Sequence, residues 1–356
     1  MRPAPITSPG PALEKVLAHI AAGASERDSF PTFPTGAFDA LEEAGVMRFT
    51  VPGEDHLRPV SLVEEWRIVR RVAAADASVA RILDGHVNAV ERLALLLSEP
   101  LRSAELAAVG AGERRLGVWG ADPLPGEGEP ARLTPSGTAE GVKVFCSGAG
   151  GLDRALVLLK GEESEPPLLA YIDLSEGVEV DPTWYRGAGM RASESHRVAF
   201  SGARVLAVLG EPGELAREPY FGRDAIRTAA TWAGAGDSAL EAMLEGAARR
   251  SDEDLVALAV GRALAARETM DAWFDRAASE AEADPERPLG ELSVALRHAV
   301  SEACRTILAE AEGALGSRPF AEGGALDRAR RDLGIFLLQH RLDPMLARMG
   351  RRALGS

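Results

Sequence analysis

The sequence predicts an α+β chain built as three units in the order helical, β, helical, and three observations predict it. Up to about Val109, apolar residues recur at three- and four-residue intervals. From about Leu116 the texture changes to short runs rich in Val, Leu, Phe and Tyr, broken by Gly, Pro and Ser. After "GEPGELAREPYFG" the helical period returns and persists to the C-terminus. With 356 residues, 46% of them hydrophobic, the chain can bury a large core. The expected units are residues 1–112, 113–212 and 213–356.

In the first unit, "PALEKVLAHIAAG", "GAFDALEEAGVM", "SLVEEWRIVRRVAAADASVARILDGHVNAVERLALLL" and "LRSAELAAVG" read as helices. The opening, "MRPAPITSPG", is broken by prolines and lacks the apolar core of a signal peptide or membrane span, so a cytoplasmic protein is expected. In the second, "LGVWG", "GVKVFCSGA", "RALVLLK", "PLLAYIDL", "VEVDPTW" and "HRVAFSGARVLAVLG" make a compact antiparallel sheet or barrel. In the third, four long helical segments are expected at 222–250, 252–282, 287–314 and 326–348, with a capping box opened by Ser251 in "SDED". The last segment contains "RDLGIFLLQHRLDP", read as one helix carrying Asp332, Phe336 and His340 on one face and stopped by Pro344. A histidine there can simply serve the last carbonyls of a helix; a functional role has to come from the rest of the chain.

A formal charge of -14 argues against nucleic acid or an anionic membrane as partner, leaving a small molecule or another protein. Two cysteines, Cys146 and Cys304, make neither a disulfide framework nor a cysteine-rich zinc site, and the scattered histidines do not reach zinc spacing. "GAGMRA" at 187 and "GAGDSA" at 234 satisfy a loose G-x-G-x-x-A pattern, but neither sits at a strand-to-helix turn, and the second lies within a predicted helix.

The β unit is where a resemblance appears. "GVKVFCSGAGGLDRALVLL" resembles the strand of acyl-CoA dehydrogenases that carries Gly-x-Lys, an aromatic residue and a small hydroxyl residue. "ALEEAGVMRFTVPGE" and "RVAAADASVARILDGH" are similar to the family's N-terminal segments, and "WYRGAGMRASESHRVAFSGARV" to its Gly-Met-Arg-x-Ser-x-Ser segment. "RTAATWAGAGDSALEAML" and "RRDLGIFLLQH" resemble the opening of its C-terminal bundle and the Arg-Asp helix beside its active site. The resemblance covers nearly the whole chain in the right order.

It implies an N-terminal helical domain, a central antiparallel β-barrel and a C-terminal four-helix bundle, with FAD held between barrel and bundle and a homodimer or homotetramer completing the site. Trp119, Phe145, Cys146 and Ser147 fall at the flavin, where an isoalloxazine needs an apolar stacking surface and a few donors and acceptors. Arg227 matches the arginine near an acyl thioester substrate. The pattern departs from the family at the catalytic glutamate, whose place falls to His340, followed by Arg341 and Leu342. A neutral imidazole can accept a proton or hydrogen-bond a substrate, as expected of the flavin monooxygenases that share the fold, and His86 is a second candidate. Some relatives carry the base on another helix, which brings in Glu241 and Glu245. No Phe-Gly follows "ARRSDEDLV", and the phosphate loop is reduced to "GADPLPGEGEP", which leaves FMN, reduced flavin or a non-catalytic scaffold as alternatives to FAD.

Overall fold

The computed structural model describes residues 11–53, 59–161 and 165–355. The proline-broken opening, 1–10, and Glu54, which ends one of the resembling segments, lie outside them. Five helices come first: α1 (Pro11–Ser29), α2 (Thr35–Glu43), α3 (Leu62–Ala75), α4 (Ala77–Leu96) and α5 (Leu101–Gly110). "AADAS" breaks what the periodicity alone would run as one helix, because Asp76 takes up extended backbone. Its carboxylate then accepts the N–H groups of Ser78 at 2.9 Å and Val79 at 3.2 Å, capping α4. Arg27 of α1 pairs with the same carboxylate at 2.9 Å, so α1 is tied to this corner. Phe38, Leu41, Ile68, Val72, Val79 and Leu83 form the core beneath.

Seven strands follow: β1 (Leu116–Trp119), β2 (Arg132–Leu133), β3 (Thr138–Cys146), β4 (Arg154–Leu159), β5 (Leu168–Asp173), β6 (Val178–Asp181) and β7 (His196–Leu209). They run in the order β1-β4-β5-β7-β3-β2, with β6 also on β7. The expected barrel is corrected here: the sheet is open, and it is not wholly antiparallel, since β1 pairs with β4 in parallel. The long β7 serves two sets of partners, β5 through its C-terminal half and β3 and β6 through its N-terminal half. No ladder joins the ends of that order, β1 and β2, among the described residues; an isolated bridge links Arg132 of β2 to Lys160, just after β4.

The C-terminal part comprises α6 (Tyr220–Ala247), α7 (Asp254–Ala283), α8 (Gly290–Leu315), the short α9 (Arg318–Ala321), α10 (Ala325–Phe336) and α11 (Asp343–Ala353). Two expectations fail. Ser251 does not cap α7: Arg250 pairs with Glu253 at 2.8 Å, and the helix starts after Glu253 without a side-chain cap. The segment 326–348 is two helices, because Pro344 occupies the first turn of α11 instead of stopping α10. Trp232, Leu240, Leu296, Ile307, Leu333 and Phe336 make the core between these helices.

The two glycine pairs that mimic a nucleotide motif have packing reasons. A Cβ on Gly234 would lie 2.1 Å from the Arg70 carbonyl, so α3 and α6 approach backbone to backbone there. One on Gly189 would lie 2.0 Å from the Arg331 carbonyl, which lets the loop before β7 press against α10. No helix of the described residues is long and apolar enough to cross a membrane.

Candidate active site

A cavity of about 580 Å³ lies between the sheet, α4, α6 and the end of α10. Phe145 is its most unusual wall. Along β3 the register with β7 shifts between Lys143 and Cys146, and Phe145 takes a left-handed φ of 52°. The residue is 55% exposed, between the buried Val144 and Cys146, and its ring meets Trp184 edge-on at 4.9 Å. A bulky residue in this conformation costs about 1–3 kcal/mol, and such strain concentrates at binding sites. The cavity therefore has an apolar platform that the backbone is bent to present. Lys143 fixes the adjoining wall: its buried ammonium donates to Asp122 at 2.6 Å and to the Gly120 carbonyl at 3.3 Å.

Beside the platform runs a row of hydroxyls. Ser147 Oγ lies 2.9 Å from Ser195 Oγ, which lies 2.8 Å from Ser193 Oγ, and Ser193 donates to the Met190 carbonyl at 2.6 Å. Met190 is itself left-handed, at φ 54°, and its N–H donates to the buried Asp332 at 2.5 Å. Burial pushes the Asp332 carboxyl up to about 7 despite that hydrogen bond. Ser193, Ser195, Asp332 and Met190 belong to the resembling segments, but no spacing marked their meeting.

His340 also lines the cavity, with Phe336 and Ile335, although it stands in the turn between α10 and α11 and not on a helix face. Its ring lies 5.9 Å from that of Trp232, and its Nε2 has no hydrogen-bond partner. Burial, with the positive charges of Arg297 and Arg81, holds the imidazole down to about 3, so it is neutral at physiological pH.

The structure places the remaining candidates elsewhere. Trp119 is 1% exposed in the sheet core, where its indole N–H donates to the Ser147 carbonyl at 3.0 Å, so it supports the hydroxyl row from behind. Cys146 faces the same core, and burial raises its thiol well above the usual range. His86 is fully buried between α4, Met47 and β1: Nε2–H donates to the Met47 carbonyl at 2.7 Å, and Nδ1 accepts the Leu116 N–H at 3.1 Å. Those partners demand the neutral ring, and burial lowers it to about 4. Glu241 and Glu245 are exposed on the outer face of α6.

Arg227 is not free to hold a substrate. It is the centre of a buried charge cluster that reaches the cavity wall through Arg81, Asp84 and Asp224. It donates to Glu65 of α3, to Asp224 at 2.9 Å and to Glu91 of α4 at 3.4 Å, with Asp84 at 3.7 Å. Arg92 holds Asp224 at 2.7 Å, Arg81 holds Asp84 at 2.9 Å, and Arg223 lies 3.9 Å from Glu91. Asp84 and Asp224 are the carboxylates that line the cavity among the described residues, and both are thus engaged by arginine. Among the described residues no group of His, Cys, Asp and Glu is arranged to hold a metal ion.

No family profile matches the sequence, and no curated protein is similar to it at the sequence level. Solved structures are similar in fold. Dibenzothiophene monooxygenase TdsC from Paenibacillus sp. A11-2, in its FMN-bound form, superposes with a TM-score of 0.84 at 20% identity, over 97% of this chain and 98% of that one. A nitrososynthase from Micromonospora carbonacea var. africana gives 0.81 at 23% identity, over 98% of each chain. Methanesulfinate monooxygenase MsuC from Pseudomonas fluorescens gives 0.81 at 22%, over 98% of this chain and 97% of that one. The fold is that of the acyl-CoA dehydrogenase-like flavin enzymes.

Proposed function

We propose that the chain is a flavin-dependent monooxygenase that binds FMN against Phe145 and a small, largely apolar substrate deeper in the same cavity. The observation that carries this reading is the lack of a free base among the described residues that line the cavity. A dehydrogenase acting on an acyl thioester needs a group poised to take the α-proton. Here both carboxylates in the cavity are held by arginines, and His340 is too weak a base at about 3. Oxygen insertion makes no such demand on the protein. Bound in its reduced form, flavin supplies the activation of dioxygen.

The residues present fit such a group. Phe145 offers an exposed aromatic face that a flavin ring would cover, and Ser147 offers a hydroxyl beside it. Met190, Ile335 and Phe336 give the substrate an apolar wall, and His340 serves as a neutral hydrogen-bond donor. The fold similarity to an FMN-bound enzyme favours FMN over the FAD of the dehydrogenases. Assembly into a homodimer belongs to the same reading, supported by Leu255 and Leu258 of α7, which are 80% and 49% exposed. Light scattering that returns only monomer at micromolar concentration contradicts it.

Two measurements test the enzyme reading. Mixing the protein with FMN, or with chemically reduced FMN under nitrogen, should give a saturable change in flavin absorbance. Phe145→Ala should weaken binding about ten- to a hundred-fold, the value of covering one aromatic face. Protein that takes up neither form is a fold-retaining scaffold instead. Once a substrate is in hand, kcat/KM should show no ionisation from His340 between about pH 5 and 8, because the free enzyme's imidazole is neutral throughout. A step near the ordinary histidine value restores His340 as the base.

A further inference from the structure

The loop before β7 walls two cavities. Met190, Ser193 and Ser195 line the one already described, while Arg191, Glu194 and His196 line a second, of about 620 Å³. Tyr185 lines both. The division is made by a single turn of 3₁₀ helix, Arg191–Ser193, whose flanking residues Met190 and Glu194 both take left-handed backbone, at φ 54° and 48°. Neither is glycine, so the loop carries strain on each side of the turn, as loops at ligand sites often do.

The charges on the second wall do not cancel. Asp28 is taken up by Arg331, at 2.6 and 3.1 Å, and Arg331 is held further by Asp327 at 2.8 Å. Glu194 lies 3.1 Å from His196 Nε2. Asp28 and Glu194 are the carboxylates of this wall among the described residues. Two guanidinium groups remain. Arg186, which is exposed, makes one hydrogen bond, from Nε to the Thr183 carbonyl at 3.3 Å. Arg191 is half-buried and has neither a hydrogen-bond nor an ion-pair partner for its side chain among the described residues. Carboxylates are in excess in a chain of formal charge -14, so two arginines left unpaired on one concave wall call for an anion from outside.

The type of anion follows from the donors. A guanidinium fork matches two oxygens of a phosphate or a carboxylate, but a carboxylate presents one edge and a single charge. A phosphate monoester presents three oxygens and nearly two charges, enough to meet both arginines. The cavity also has room for the body that carries the phosphate.

We propose that this second cavity receives the phosphate group of a small phosphorylated molecule, with Arg186 and Arg191 donating to its oxygens. The phosphate belongs either to FMN or to a separate metabolite, and the chemistry at the arginines is the same. The site stands on the charge of its wall and does not depend on the flavin reading.

The test titrates the full-length protein with inorganic phosphate by calorimetry at constant ionic strength, with chloride as the competing anion. Phosphate should bind saturably, with a dissociation constant near or below about 1 mM, and chloride should not displace it. Arg191→Gln should weaken phosphate at least about ten-fold, the value of one charge-assisted contact, and Arg186→Gln several-fold. Both variants should melt where the parent does when phosphate is absent, since neither arginine is in an ion pair, and either serves if the other does not fold. Arg318→Gln, at a side chain 84% exposed and outside this wall, should change nothing. Absence of saturable binding, displacement by chloride, full affinity in both arginine variants, or an equal loss in Arg318→Gln each overturns the proposal. The source of the phosphate is read by repeating the titration on flavin-saturated protein. Unchanged phosphate affinity assigns the site to a separate phosphorylated molecule; loss of it with FMN but not with riboflavin assigns it to the flavin's own phosphate. A protein that binds phosphate but takes up no flavin keeps this site and loses the enzyme reading, and one that takes up flavin but binds no phosphate does the reverse.

Discussion

Replacing Arg227 by methionine should lower folding stability by about 3–5 kcal/mol, as expected when one partner of a buried ion-pair network is removed. The guanidinium is fully buried, and Glu65, Asp224 and Glu91 accept from it. Its loss leaves those carboxylates in a low-dielectric interior with reduced compensation. Urea denaturation followed by circular dichroism measures the change, and adding Glu65→Gln to the variant should recover part of it. A loss below about 1 kcal/mol would mean that water reaches the cluster and screens it.

His86 sets the second large effect. Its folded value is held down to about 4 against an ordinary 6.5. Between those limits the unfolded chain takes up a proton that the folded chain refuses. The stability this confers is fully present above pH 6.5 and is lost as the pH falls toward 4. The shift corresponds to about 3 kcal/mol. His340, also depressed, acts with the same sign, whereas Asp332, raised to about 7, acts against both, since its folded carboxyl keeps a proton that the unfolded one has lost. The comparison of His86→Gln with the parent isolates the histidine. The variant should be less stable at pH 7.5, where the amide does not place its donor and acceptor as the ring does between the Met47 carbonyl and the Leu116 N–H, and the two curves should converge by about pH 4, with slopes differing by about 1.4 kcal/mol per pH unit. Parallel curves would show that His86 titrates normally in the folded chain.

The order helical, β, helical was legible in periodicity alone, because each unit repeats one hydrophobic period for long enough to be unambiguous. Phe145, Ser147 and His340 were legible as cavity residues only through the resemblance, and they do line one cavity. Cys146 shows what that route overlooks. Neighbours on a strand point to opposite faces, so Phe145, Cys146 and Ser147 could not all reach a ligand together. Arg227 and His86 were misjudged for another reason. A buried charge and a buried imidazole are defined by partners far along the chain, such as Glu65 and Glu91 for the one and Met47 and Leu116 for the other. No local pattern announces them. The break at 337–342 was hidden because the four-residue spacing of Asp332, Phe336 and His340 runs on through it.

The self-cancelling cluster around Arg227 shapes how such a chain can diverge. Its four arginines and four carboxylates are drawn from α3, α4 and α6, so a single charge change at any of them unbalances all three helices at once. A second, compensating change would restore the balance. Much of the cavity wall lies outside the cluster, Arg81, Asp84 and Asp224 excepted. Asn88, Ile335 and Leu338 line the cavity without belonging to the cluster, so lineages can exchange them one at a time and drift toward new substrates over an unchanged frame.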